Sequence, residues 1–193
     1  LDQTDSGNGT ILVTNQMLDQ CGITKEQLRA DALENAPEIR PSEIRGMSEV
    51  MSEIAPGMIP EVAPEDEQIF VATVPDKIHG AGVITYPNFM EDAAQKMGGD
   101  FFVLPSSIHE VLLVRDNGQM TAKELENMVK EVNATQVEPA DQLTDHAYHY
   151  DSQNHLFELA DKYEERMKEA EHEAVADKDS VLGDLKEKKQ EIA

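Results

Sequence analysis

The spacing of apolar and polar residues predicts alternating short strands and amphipathic helices. Ile11-Leu12-Val13-Thr14 is a β-branched run bounded by turn residues and predicts a strand. Thr24 with Gln27 forms a capping box, and Ile23 and Leu28 stand at the staple positions, which predicts a helix from about Lys25 to Asn35, ended by Pro37 and Pro41. From Ser42 to Ile54, Ile44, Met47, Val50, Met51 and Ile54 fall on one helical stripe, so a second amphipathic helix is expected. Pro56, Gly57, Pro60 and Pro64, with Glu61, Glu65, Asp66 and Glu67, then mark a solvated loop.

From Ile69 the period changes. Ile69 to Val74 and Ala81 to Tyr86 are β-rich runs on either side of a turn, which predicts a hairpin. Pro87 and Asn88 open a helix with Phe89, Met90, Ala93, Ala94 and Met97 inward, stopped by Gly98-Gly99 in the manner of a left-handed cap. Phe101 to Leu104 and Val111 to Val114 predict a second hairpin across Pro105 to Glu110. Thr121 and Glu124 form another capping box, with Leu125, Met128, Val129 and Val132 on one face of a helix before Asn133. His146 to Tyr150 predicts a last strand. From Leu156 the composition shifts to Glu, Lys and Ala, and an apolar stripe of Leu156, Leu159, Tyr163, Met167, Ala170 and Ala174 predicts a C-terminal helix, broken at Asp177 to Ser180 and echoed by Leu182, Leu185 and Ile192.

Strand pairs joined by short links cannot be parallel, because parallel neighbours need crossover connections. The expected fold is α+β: a mostly antiparallel sheet built from hairpins, packed by amphipathic helices, with a globular part over residues 1–155 and a charged helix over 156–193. Leu1 runs directly into a turn-like stretch, Asp2 to Gly9, as though the chain enters inside a hairpin. There is no Trp, and the nine Met among few aromatics predict an aliphatic core with Met filling its irregular gaps.

Several strings resemble a bacterial family of uncharacterised proteins, the domain of unknown function fifty-six eighty-eight, found mostly in gut-dwelling anaerobes. They include Gly22-Ile23-Thr24-Lys25-Glu26-Gln27-Leu28, Met47-Ser48-Glu49-Val50-Met51, Met128-Val129-Lys130-Glu131-Val132-Asn133 and Leu143-Thr144-Asp145-His146. The most specific lies inside Gly98 to Val111, as Leu104-Pro105-Ser106-Ser107-Ile108-His109-Glu110-Val111. The resemblance implies a bacterial protein whose family is longer at its N-terminus. It names no reaction, ligand or catalytic residue.

Charge narrows the partners. The formal net charge is −23, and only −5 of it lies in Glu158 to Ala193, so the acidity belongs to the body of the chain. Such a surface cannot neutralise phosphates over an extended face, so neither direct nucleic-acid binding nor docking on an anionic membrane is expected. No apolar run approaches the roughly 20 residues of a membrane span. The single cysteine, Cys21, cannot form an internal disulfide, is expected as a small buried hydrophobe, and suits a reducing, cytoplasmic setting.

Ser106, Ser107, His109 and Glu110 hold the residue types of a nucleophile, a base and an orienting carboxylate. Neighbours in an extended chain point to opposite faces, so Glu110 cannot orient His109, and the bland reading is a hairpin turn whose hydroxyls serve the backbone. Turns also carry binding residues, which makes these four the candidate binding surface. His146 and His149 with Asp145 and Asp151 invite a metal reading, but no further His or Cys completes a tetrahedral site. Gly7-Asn8-Gly9 and Gly80-Ala81-Gly82 open no helix after a strand, so no nucleotide fingerprint is present and no cofactor is expected. Met47 and Met51 fit core filling better than a soft partner groove. The expectation is a non-enzymatic interaction or regulatory module acting through a protein partner or self-association. Two rivals stand beside it: an acidic nucleic-acid mimic that occupies a basic site on another protein, and a hydrolase using the Ser/His turn.

Overall fold

The computed structural model describes residues 2–4, 7–9, 11–58, 60 and 62–174. The expected helix break at Asp177 to Ser180 and the apolar echo at Leu182, Leu185 and Ile192 lie outside them. The chain divides into two compact units, Leu1–Pro41 and Ser42–Ala193.

In the first unit β1 (Asp2–Thr4) pairs antiparallel with β2 (Gly7–Gly9), so a complete small ladder occupies the stretch read as a turn. Ile11–Thr14 is not a strand. β-branched residues favour a strand only where a neighbour pairs with them, and here Ile11 and Leu12 stand exposed while Thr14 caps α1 (Asn15–Cys21) by accepting from Met17 N at 3.3 Å. Helix α1 ends at Gly22, whose φ of +67° is a conformation that glycine adopts without Cβ strain. Cys21 is exposed, contrary to the buried role expected of it. Helix α2 (Lys25–Ile39) begins where expected, with Thr24 Oγ1 accepting from Gln27 N at 3.1 Å, but it runs past Pro37. A proline near a C-terminus removes one backbone bond, and Arg40 N still reaches Ala36 O at 2.8 Å.

The second unit is built on one six-stranded antiparallel sheet, in the order β3 (Glu43–Gly46), β4 (Ile69–Thr73), β6 (Val111–Arg115), β5 (Phe101–Leu104), β7 (Tyr148–Asp151) and β8 (Leu156–Leu159). The β5–β6 hairpin is as the sequence predicts, and the class is α+β. Both faces of the central strands β4, β6 and β5 are buried, which explains why those strands read as unbroken apolar runs. On β5, Phe101 and Val103 face one cluster with Phe89, Ala93 and Met97 of α4 (Phe89–Met97), while Phe102 and Leu104 face another with Leu125 and Val129 of α5 (Ala122–Thr135). The capping box of α5 is complete.

Three elements differ from the sequence reading. Ser42–Ile54 is β3 followed by α3 (Met47–Ile54), because Glu43–Gly46 pairs with β4 before the helical stripe takes over. Met51 is partly exposed on that helix rather than filling a core. Ala81–Tyr86 forms no hairpin strand: β3 and β6 already occupy both edges of β4, and Gly80–Thr85 coils into a 3-10 helix that packs Ala81 and Val83 into the first cluster. The C-terminal helix starts at residue 160 as α6, described to 174, since Leu156–Leu159 pairs with β7. Glu67 also departs from its reading as solvated loop. It is buried, and its Oε2 accepts from Ser48 N at 3.1 Å and from Ser48 Oγ, capping α3 from a distant loop.

Candidate functional site

The four residues singled out from sequence lie on the link between β5 and β6, and the fold clasps that link from two sides. Ile108 N donates to Asp141 O at 2.8 Å, Leu143 N donates to Ser106 O at 3.1 Å, and Ser107 bridges to Gln142. From the other side Thr73 Oγ1 donates to His109 O at 2.8 Å and Ala81 N donates to Ile108 O at 3.1 Å. Ser106 and Ser107 are buried, and Ser107 Oγ accepts from His109 N at 3.0 Å. That is the backbone-serving role of a turn serine.

Each nitrogen of the His109 imidazole has a polar neighbour. His79 N donates to Nδ1 at 3.3 Å, which requires Nδ1 to be unprotonated and places the proton of the neutral ring on Nε2. Nε2 faces Asp141 Oδ2 at 3.4 Å. The ring of His79 lies parallel to that of His109, with centroids 5.8 Å apart and 8° between the planes. Glu110 is exposed and turns elsewhere, lining a cleft of about 20 Å³ with Arg45 and Lys77. The structure therefore brings His109 together with His79 and Asp141, and leaves Glu110 apart. Nothing in the spacing of His79 or Asp141 marks them as partners of His109, since both arrive through the tertiary fold.

Residues 1–152 match a family of unknown function, DUF5688. The chain belongs to DUF5688. Searches of curated proteins and of solved structures found no match.

The DUF5688 match ends just after β7, yet β8 and α6 complete the sheet beyond it. Ala160 is fully buried, and Tyr163 of α6 stacks on His149 of β7 with ring centroids 3.4 Å apart and 6° between planes. His149, itself fully buried, has Nε2 3.1 Å from Asp116 Oδ2, and Tyr163 OH donates to the same oxygen at 3.1 Å. The His149 hydrogen bond holds the Asp116 carboxyl below its ordinary range, while burial and then Asp116 push the Tyr163 hydroxyl up to about 12. This network anchors α6. The metal reading loses its pair, because His146 Nδ1 instead lies 2.9 Å from Glu126 Oε1. Among the described residues no three His, Cys, Asp or Glu side chains gather as ligands.

Asp151 at the end of β7 makes the second anchor. Its Oδ1 accepts from Gln153 N and Asn154 N, and its Oδ2 accepts from Asn154 Nδ2 at 2.9 Å and Arg166 at 3.2 Å. These bonds, that of the Asn154 side chain first, bring its carboxyl down to about 2. A carboxylate with a depressed folded value stabilises the fold above its unfolded value of 3.8 and loses that contribution as pH falls towards 2. Asp151→Asn is therefore expected to cost about 2 kcal/mol near neutral pH, with the gap to the parent closing between about pH 4 and pH 2. Urea titrations over that range check it; a gap that stays constant with pH contradicts it.

Proposed function

We propose that this DUF5688 member is a non-enzymatic interaction module of the bacterial cytoplasm, acting through a protein partner with the Ser106–Glu110 turn as its contact surface. The observation that carries this reading is that His109 Nδ1 accepts from His79 N while Nε2 faces the Asp141 carboxylate. A general base needs a nitrogen free to take the proton of a nucleophile. Here Ser107 Oγ instead serves the backbone of His109, and Ser106 is buried. What the turn does offer is a half-exposed imidazole stack beside the half-buried Asp141 carboxylate, held in place by backbone bonds from both sides. Preorganised polar groups of this kind suit recognition.

The net charge of −23 supports a protein partner over nucleic acid, and the exposed, free Cys21 suits a reducing compartment. Among the described residues no helix is long and apolar enough to cross a membrane. A photo-reactive side chain at position 110 is expected to give one discrete protein adduct in cells, and His109→Ala is expected to weaken the purified pair by about tenfold or more. Equal affinity of the variant, or covalent labelling of Ser106 or Ser107 by a fluorophosphonate, overturns the proposal.

A further inference from the structure

A second feature of the sheet lies apart from the Ser106–Glu110 turn. An open cavity of about 270 Å³ sits beside the β3–α3 junction, lined by Gly46, Ser48, Phe70 and Lys96 among others, with Glu67 on its wall. That volume is below the roughly 300–1,000 Å³ of pockets for drug-sized ligands, so it suits a smaller molecule. Its polar groups are unusual in what they leave unused. Glu67 is only 9 % exposed, and both of its hydrogen bonds, from Ser48 N and Ser48 Oγ, fall on Oε2. Oε1 takes none.

Lys96 Nζ donates to Ile44 O, and no described carboxylate stands within ion-pair distance of it. An ammonium carries three donors, so further ones remain. The other carboxylate on the wall, Glu49, takes Arg45 Nε at 3.0 Å on Oε1 and, with its side chain 59 % exposed, leaves its other oxygen to solvent. Among the described residues the cavity thus keeps one buried carboxylate oxygen and one ammonium apart, each short of a partner. Its remaining wall is apolar, made by Phe70, Val62 and Pro64. That wall is braced: Arg115 donates to Pro64 O at 3.2 Å and to Glu65 O at 3.3 Å, and its guanidinium lies 5.4 Å from the centre of the Phe70 ring.

A simple anion would meet Lys96 but would approach a chain of net charge −23 and leave Glu67 unsatisfied; a simple cation would do the reverse. A zwitterion answers both groups at once and adds no net charge. We propose that this cavity binds a small zwitterion, an α-amino acid with a short aliphatic side chain, whose carboxylate meets Lys96, whose ammonium meets Glu67 Oε1, and whose side chain lies on Phe70, Val62 and Pro64. This site is independent of the partner surface proposed above, and would give the module a ligand to which it responds.

The full chain titrated with L-leucine, 4-methylpentanoate and isoamylamine, followed by amide chemical shifts, separates the terms, since the last two lack the amine and the carboxylate respectively. Leucine is expected to shift Gly46, Ser48 and Phe70 below about 10 mM, and each half-ligand to bind about tenfold or more weakly. Lys96→Met keeps the aliphatic stem and is expected to weaken leucine by the same factor while leaving isoamylamine unchanged. Glu67→Gln alters the cap of α3 as well, so it is read only by the ratio of isoamylamine to 4-methylpentanoate affinity, which is expected to fall. Absence of shifts with leucine overturns the proposal, as does leucine binding to Lys96→Met at the parent's affinity. Binding of 4-methylpentanoate as tight as that of leucine also overturns it, by making the cavity an anion site.

Discussion

Gly80→Ala is expected to destabilise the protein by about 3 kcal/mol or more, at the upper end of what overpacking costs. A Cβ on Gly80 would fall inside contact distance of Thr73 Oγ1 and the His109 carbonyl oxygen, and 2.9 Å from Val74 N. Two of these three are backbone atoms, so relief needs movement of β4 or of the turn and cannot come from one side-chain rotation. The same displacement breaks the hydrogen bond from Thr73 Oγ1 to His109 O and loosens that from Ala81 N to Ile108 O. Urea denaturation gives the magnitude, and the amide shifts of residues 79 and 109 give the location. A variant within about 0.5 kcal/mol of the parent would mean that the 3-10 helix does not press on the turn.

Removal of the chain after His155 is expected to abolish the cooperative thermal transition. The deleted piece includes β8, which pairs with β7 from Tyr148 to Asp151, together with the buried Ala160 and the half-buried Tyr163. Without it, Asp116 loses the Tyr163 hydroxyl, His149 loses its stacking partner, and Asp151 loses Arg166. His149 Nδ1 already lies buried without a partner, so the strand depends on the covering that α6 provides. Losses on this scale rival the whole stability of a small domain, about 5–15 kcal/mol. Circular dichroism on heating checks it; a shortened chain that melts cooperatively within about 5 °C of the parent contradicts it.

What could be read in the sequence follows from how local each signal is. The α5 capping box, the α4 stripe with its Gly98 stop and the β5–β6 hairpin are written in adjacent residues, and they form as expected. Elements that depend on a distant partner were misread. Ile11–Thr14 has strand composition but no pairing neighbour, while Glu43–Gly46 has little strand character and becomes one because β4 offers it an edge. Leu156–Leu159 fits a helical stripe equally well, and pairing with β7 decides it. The turn residues were legible as a cluster, since Leu104 to Val111 is a distinctive string. Their chemistry was not: His79 and Asp141 reach His109 only through the fold, and Glu67 looked solvated because its partner Ser48 lies nineteen residues earlier.

The proposed function depends on the state of one imidazole, and the ring nitrogen shifts of His109 report it most directly. In ¹⁵N-labelled protein at neutral pH, Nδ1 is expected to be the unprotonated acceptor and Nε2 to carry the proton, a pattern that Gly80→Ala disturbs. A ring with its proton on Nδ1 and a free, basic Nε2 would contradict the account and return the turn to the class of catalytic sites.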